Sequence, residues 1–180
     1  MKVWVGIVVP KKIFNEIFKI EKSIAKKYKT YHNLKGKIGS HITITHQENI
    51  NNKDFNKIEK IVNEVSKKTK PFKIKIKGVR RFYKPIVIYM NVVKSIKLNK
   101  LNKELSNNLR KFGKVRRYRK YTPHVTIANK DITKENFKKA FKELKNKKIS
   151  YEFNVNKLYL GKSKPTERMR VFKSFKLKLK

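Results

Sequence analysis

The stretch Ser40-His41-Ile42-Thr43-Ile44-Thr45-His46 decides how the rest of the chain reads. Strand side chains alternate faces, so Ile42 and Ile44 fit a core while His41 and Thr43 point the other way. Strict alternation also places Thr45 beside His41 and Thr43, with His46 on the opposite face. The device returns as Pro123-His124-Val125-Thr126-Ile127, with His124 standing 83 residues after His41. Four histidines and eight threonines in 180 residues supply roughly 0.2 His-x-Thr pairs by chance. Two occur, each followed by isoleucine.

The surroundings repeat as well. Val3–Val9 reads as a buried strand, and Pro10 opens a helix with Ile13, Ile17, Ile20, Ile24 and Tyr28 in one stripe. A polar loop over residues 29–40 leads into the His41 strand. A helix capped from the Asn51–Asp54 region follows, with Phe55, Ile58, Val62 and Val65 inward, and then an alternating strand over Phe72–Lys77. From Pro85 the order starts again. A strand to Val93 is followed by a helix bearing Leu98, Leu101, Leu105, Leu109 and Phe112, with Gly113 as its C-terminal cap. A basic loop over 114–121 leads into the His124 strand. Thr133 caps a helix with Phe137, Ala140, Phe141 and Leu144, and strands follow over Tyr151–Leu160 and Arg170–Lys178. Val5 and Ile88 in the two opening strands are also 83 residues apart.

A duplicated strand-helix-strand-helix-strand unit is the simplest account. The fold class is α+β, one bilobal domain over residues 1–180 with approximate halves 1–82 and 83–180. Equivalent strands about a pseudo-twofold axis would bring His41 and His124 face to face across one cleft.

Composition bounds the setting. The chain has no cysteine, which excludes disulfides and thiolate metal sites. The apolar opening is too short to span a bilayer, and Pro10-Lys11-Lys12 stands where a leader would need small residues. A cytoplasmic, soluble monomer with no membrane partner is expected. Fifty basic against twelve acidic residues give a net charge of +38, a field that attracts polyanions such as RNA. A general enrichment in lysine would produce part of the same charge.

Each motif offers a titratable imidazole and a hydroxyl on one strand face. Histidine serves as acid or base near neutral pH, and a threonine hydroxyl donates to an anionic oxygen. Two facing sets suit a phosphodiester: one histidine deprotonates water, the other protonates the leaving oxygen, and Thr43 and Thr126 hold the phosphate. Such chemistry rests on positioning and charge stabilisation and needs neither a metal nor another cofactor. No His-x-His pair or helical histidine pair offers a metal site.

His41-Ile42-Thr43-Ile44 and His124-Val125-Thr126-Ile127, in two tandem halves, resemble the motifs of the two-histidine (2H) phosphoesterase superfamily. The branch they resemble is the RNA 2′,3′-cyclic phosphodiesterase, also called 2′-5′ RNA ligase. The resemblance implies antiparallel sheets around a central cleft with helices outside. It implies metal-independent opening of a 2′,3′-cyclic phosphate to a 2′-phosphate, and 2′-5′ ligation as a reverse-type reaction. It makes His41 and His124 the catalytic pair, His41 as acid and His124 as base by analogy, with Thr43 and Thr126 as phosphate-binding donors. The partner implied is RNA with 2′,3′-cyclic phosphate or 2′-phosphate ends, tRNA fragments included. The run Thr45-His46-Gln47 departs from the apolar continuation expected of that branch.

Both motif strands follow loops with tyrosine and basic residues, as single-stranded nucleic-acid sites require. Tyr31 stands in the first. The second holds Arg116, Arg117, Tyr118, Arg119, Lys120 and Tyr121. Arg80, Arg81, Arg168 and Arg170 are further candidates. Two other readings stand beside this one. One is a phosphodiesterase for a small cyclic nucleotide or a 2′-5′ oligonucleotide. The other is a non-catalytic RNA-binding module, against which the intact His and Thr of both halves count.

Overall fold

A computed structural model describes residues 1–93, 95–115 and 121–178. The strands are β1 (Lys2–Val8), β2 (His41–Glu48), β3 (Phe72–Tyr83), β4 (Ile86–Val92), β5 (Lys114–Val115), β6 (His124–Asn129), β7 (Ser150–Val155), β8 (Lys157–Ser163) and β9 (Arg170–Lys176). The helices are α1 (Lys11–Tyr28), α2 (Phe55–Lys68), α3 (Ile96–Leu109) and α4 (Lys134–Leu144). The α+β class and antiparallel pairing follow the expectation. No helix among the described residues is long and apolar enough to cross a membrane.

Apolar spacing marks all four helices, and in two of them it coincides with a side-chain cap. The Thr133 Oγ1 accepts from the Asn136 N–H at the start of α4, and the Ser95 Oγ accepts from the Leu98 N–H at the start of α3. Asn51 caps a 3-10 turn that runs into α2. In each helix the buried face follows the stripe periodicity predicts, with Ile13, Ile20 and Phe141 only partly buried and Glu21, Ala25 and Ser66 buried in addition; Glu21 of α1 lies among Ile17, Ile24 and Tyr28.

The strands join in the order β7-β3-β4-β6-β2-β1-β8-β9, every neighbour antiparallel, with β5 pairing the end of β2. The β2–β6 contact, in register at Ile42↔Val125, divides the sheet into two four-stranded lobes. The chain exchanges elements between them. β3 crosses to pair with β4, while β8 and β9 cross to the β1 side. Helices cross too: α1 packs on β6 and against α4, while α3 packs on β2 and against α2. One hydrophobic cluster, with Ile42, Ile44, Val125 and Ile127 near its middle, runs beneath both lobes.

Several boundaries differ from expectation. The Tyr151–Leu160 stretch is two strands, because the chain passes from one lobe to the other at Asn156. The inward positions accordingly slip phase, from Phe153 and Val155 to Leu158 and Leu160. β3 continues beyond Lys77 to Tyr83 through an irregularity at Gly78, whose φ of +71° suits glycine. The loop after Gly113 begins with the short β5. Gly113 is extended (φ 176°), not a left-handed cap, and α3 ends instead in a 3-10 turn over Arg110–Phe112. What Gly113 provides is close approach: a Cβ there would lie 2.5 Å from the Glu48 carbonyl oxygen.

Candidate active site

The β2–β6 register brings the two motifs side by side. Ile42 and Val125 are paired and point into the core, fully buried. One step either way sets His41 beside Thr126 and Thr43 beside His124, so all four side chains stand on the face away from the helices. All four are half-buried.

A bulge shapes each motif. In β2 the ladder passes from Val5↔Thr45 to Gly6↔Thr43, leaving Ile44 unpaired; in β6 it passes from Ile88↔Ala128 to Tyr89↔Thr126, leaving Ile127 unpaired. The extra residue reverses the alternation beyond it. Thr45 is therefore buried on the helix side, where its Oγ1 accepts from the Ser106 hydroxyl of α3 at 3.2 Å. His46 turns to the open face opposite Trp4. Both placements reverse those of strict alternation, because the fourth residue of the motif is a bulge.

Each imidazole is held by the carbonyl two residues before it. The His41 Nδ1 lies 2.8 Å from the Gly39 oxygen and the His124 Nδ1 lies 2.7 Å from the Thr122 oxygen. A carbonyl only accepts, so Nδ1 carries the proton in both rings and Nε2 is the nitrogen left for chemistry. Burial lowers the His41 pKa below its ordinary 6.5, and the charge of His124 pushes the same way, against the pull of the Gly39 carbonyl. Burial likewise lowers His124, against Thr122. Both rings are therefore mainly neutral near pH 7.

Aromatic walls flank them. The Trp4 indole meets His41 edge to face, with centroids 5.2 Å apart, and Phe82 and Tyr89 pack on His124 at 5.3 and 5.0 Å. The Trp4 Nε1 also donates to the Thr43 Oγ1 at 3.0 Å. Sequence reading missed these residues. For Trp4 and Tyr89 the signal was an aromatic in an otherwise apolar strand, Phe82 had none, and nothing local says which motif each faces.

The loop before each motif strand latches the other motif. The Tyr121 hydroxyl donates to the Thr43 carbonyl at 2.9 Å, and the Asn33 Nδ2 donates to the Thr126 carbonyl at 3.1 Å. Burial drives the Tyr121 phenol pKa upward, and its ring packs against the core. Its hydroxyl thus has a partner within the fold, at the residue expected from the sequence to face RNA. Tyr31 is 40% exposed, with its N–H bound to the Asp131 carboxylate. Asp131 also accepts from the Thr30 hydroxyl and the His32 N–H. Arg116, Arg117, Tyr118, Arg119 and Lys120 lie outside the described residues. Arg80 is exposed and pairs in register with Tyr89, on the open face. Arg81 stacks over Tyr83 and Phe141 on the helix side, and Arg168 donates to the His32 carbonyl. Among the described residues no group of three or more His, Cys, Asp or Glu is placed to hold a metal ion.

Residues 9–167 match the profile of the 2′-5′ RNA ligase superfamily. No curated protein matches the chain. Among solved structures, TT0787 of Thermus thermophilus superposes with a TM-score of 0.74 at 12% identity, covering 98% of each chain. E. coli LigT complexed with 3′-AMP gives 0.72 at 13% identity, covering 99% of this chain and 98% of LigT. The MHV ns2 PDE domain gives 0.52 at 13% identity, with 89% of this chain and 98% of that domain covered. At such identities these likenesses concern the fold.

Proposed function

Because the chain belongs to the 2′-5′ RNA ligase superfamily, we propose that it is an RNA 2′,3′-cyclic phosphodiesterase, opening a terminal cyclic phosphate to a 2′-phosphate. The observation that carries this reading is the matched pair of imidazoles, each fixed through Nδ1 with Nε2 free, flanked by two threonine hydroxyls. A binding module needs no such matched acid and base.

In this reading the cyclic phosphate sits over the four side chains, with Thr43 and Thr126 donating to its non-bridging oxygens. The His124 Nε2 takes a proton from a water molecule, whose oxygen forms the new bond to phosphorus. The phosphorus–O3′ bond breaks, and the His41 Nε2 gives its proton to the departing 3′ oxygen. The products are a 3′-hydroxyl and a 2′-phosphate. His41 ends neutral and His124 protonated, and exchange with solvent resets both. Burial disfavours the imidazolium that His41 needs, and the bound phosphate anion offsets this. Replacing water by the 5′-hydroxyl of a second RNA gives the 2′-5′ linkage by the same proton transfers.

RNA is favoured over a small cyclic nucleotide by the open face of β3, where exposed Lys75, Lys77 and Arg80 form a basic row leading to Tyr89. Tyr31, in the loop before the first motif, is an exposed aromatic offered for base stacking, and the cytoplasm is the compartment such a substrate implies. The test is a short RNA ending in a 2′,3′-cyclic phosphate, incubated with chelator. Gain of one water and a phosphatase-sensitive 2′-phosphate, lost in His41→Ala and His124→Ala, is expected. An unchanged RNA with hydrolysis of a small cyclic nucleotide would overturn the choice of substrate. Retained turnover in both variants would overturn the mechanism.

A further inference from the structure

The two motifs match in backbone but not in what touches their threonines. Thr43 accepts a hydrogen bond from the Trp4 indole N–H at 3.0 Å. At the position in β4 that matches Trp4 stands Val87, which has no side-chain donor. We propose that Trp4 is a positioning residue, fixing the Thr43 hydroxyl as a donor towards the substrate phosphate. The inference rests on the phosphate-binding reading of Thr43 given above.

A threonine hydroxyl has one proton and two lone pairs, and rotates to suit its partners. The indole N–H only donates, so the direction of the Trp4–Thr43 bond is unambiguous. Accepting it occupies a lone pair and turns the Thr43 proton away from the indole. A hydroxyl turned this way before substrate arrives spends nothing on reorientation when charge develops on the phosphate oxygens.

The fold keeps the indole from moving. Trp4 is 3% exposed and lies in a slot formed by two glycines, Gly6 on its own strand and Gly161, its register partner on β8. A Cβ on Gly6 would lie 2.1 Å from the Trp4 Cζ2, and one on Gly161 would lie 3.2 Å from its Cε3. The indole edge against His41 closes the remaining side. An aromatic ring needed only for packing could be phenylalanine; the placement of Nε1 on the Thr43 Oγ1 is what phenylalanine cannot supply.

The test is a double-mutant cycle on cyclic-phosphate RNA, using Trp4→Phe, Thr43→Val and the combination. In the native background Trp4→Phe should lower kcat about tenfold, the loss of roughly one oriented hydrogen bond, while KM stays within about twofold. In the Thr43→Val background Trp4→Phe should have no further effect. An unchanged kcat, or the same fold-loss in both backgrounds, would overturn the inference and leave Trp4 as packing. Thr43→Val with native kcat would instead overturn the phosphate-binding reading, and this inference with it. Should Trp4→Phe fold poorly, β-benzothienylalanine at position 4 carries the same expectation, since it keeps the ring shape and replaces the N–H by sulfur.

Discussion

The Tyr121 hydroxyl and the Thr43 carbonyl, 78 residues apart in sequence, are joined at 2.9 Å. The mirror contact is Asn33 Nδ2 to the Thr126 carbonyl. Where β2 and β6 meet, each motif threonine turns its carbonyl towards the loop that precedes the other motif, and that loop supplies the donor. The lobes are thereby cross-tied at the residues proposed to bind phosphate.

Removing one tie should be felt in both stability and rate. Tyr121→Phe leaves the Thr43 carbonyl without this donor in a half-buried place, a loss of about 1–2 kcal/mol. Urea denaturation should show that loss, and kcat should fall with it, because Thr43 loses its backbone restraint. Native stability in the variant would show that water replaces the phenol and that the tie is not structural.

The lowered histidine pKa values set the pH dependence. Both free-enzyme imidazoles titrate below 6.5, so proton uptake occurs as pH falls beneath that value. The optimum of kcat/KM should lie on the acid side of 6.5, bell-shaped, with apparent values belonging to the pair. Bound phosphate favours the imidazolium, so the alkaline limb of kcat should lie at higher pH than that of kcat/KM. Trp4 is the only tryptophan in the chain and touches His41. Its emission, quenched by a nearby imidazolium, should show a step below pH 6.5 that His41→Gln removes, with His46→Gln, at the position opposite Trp4 on β2, as the control. A kcat/KM that climbs steadily to pH 8 would contradict the assignment.

The motifs, the repeat and the helical stripes were legible in the sequence because each rests on local periodicity. What the sequence hid is non-local. The bulges at Ile44 and Ile127 look like ordinary strand residues, and only pairing with β1 and β4 reveals the extra residue. That single step reverses Thr45 and His46. The exchange of strands between lobes at Asn156 leaves only a slip in alternation, and the Trp4 slot needs a glycine from β8, 155 residues after Gly6. The carbonyls that fix each Nδ1 belong to backbone, which carries no sequence signature.

Glu21 is a buried carboxyl on the helical stripe, 4% exposed, with its Oε1 accepting from the Ser40 hydroxyl beside His41. Burial pushes its pKa from 4.5 up to about 7, against the hydrogen bonds of Ser40 and Asn33. A raised carboxyl pKa means the folded state holds a proton that the unfolded chain releases between those values. Stability from this group is therefore greatest below 4.5, falls as pH rises, and levels off above 7. At about 1.4 kcal/mol per pH unit the cost at pH 8 is about 3 kcal/mol. Glu21→Gln should relieve most of it, raising stability at pH 8 and changing little at pH 4.5. Equal effects at both pH values would show that Glu21 is not protonated in the fold.

Two glycines separate steric from conformational need. A Cβ on Gly6 would meet the Trp4 Cζ2 at 2.1 Å and the Ile42 carbonyl oxygen at 2.5 Å, and the second is backbone of the motif strand, which cannot swing aside. Gly6→Ala should therefore push β1 away from β2, costing roughly 3 kcal/mol as overpacking in a filled site does. It should also separate Trp4 from Thr43, lowering turnover further than the stability loss explains. Gly78 has nothing within 4 Å of its Cβ position but a φ of +71°. Gly78→Ala should cost only the left-handed backbone, about 1–2 kcal/mol, with kcat unchanged. Thermal unfolding and kcat of the two variants side by side check this. A Gly6→Ala protein as active and stable as Gly78→Ala would mean that the indole does not fill the slot, and the account of Trp4 would fall with it.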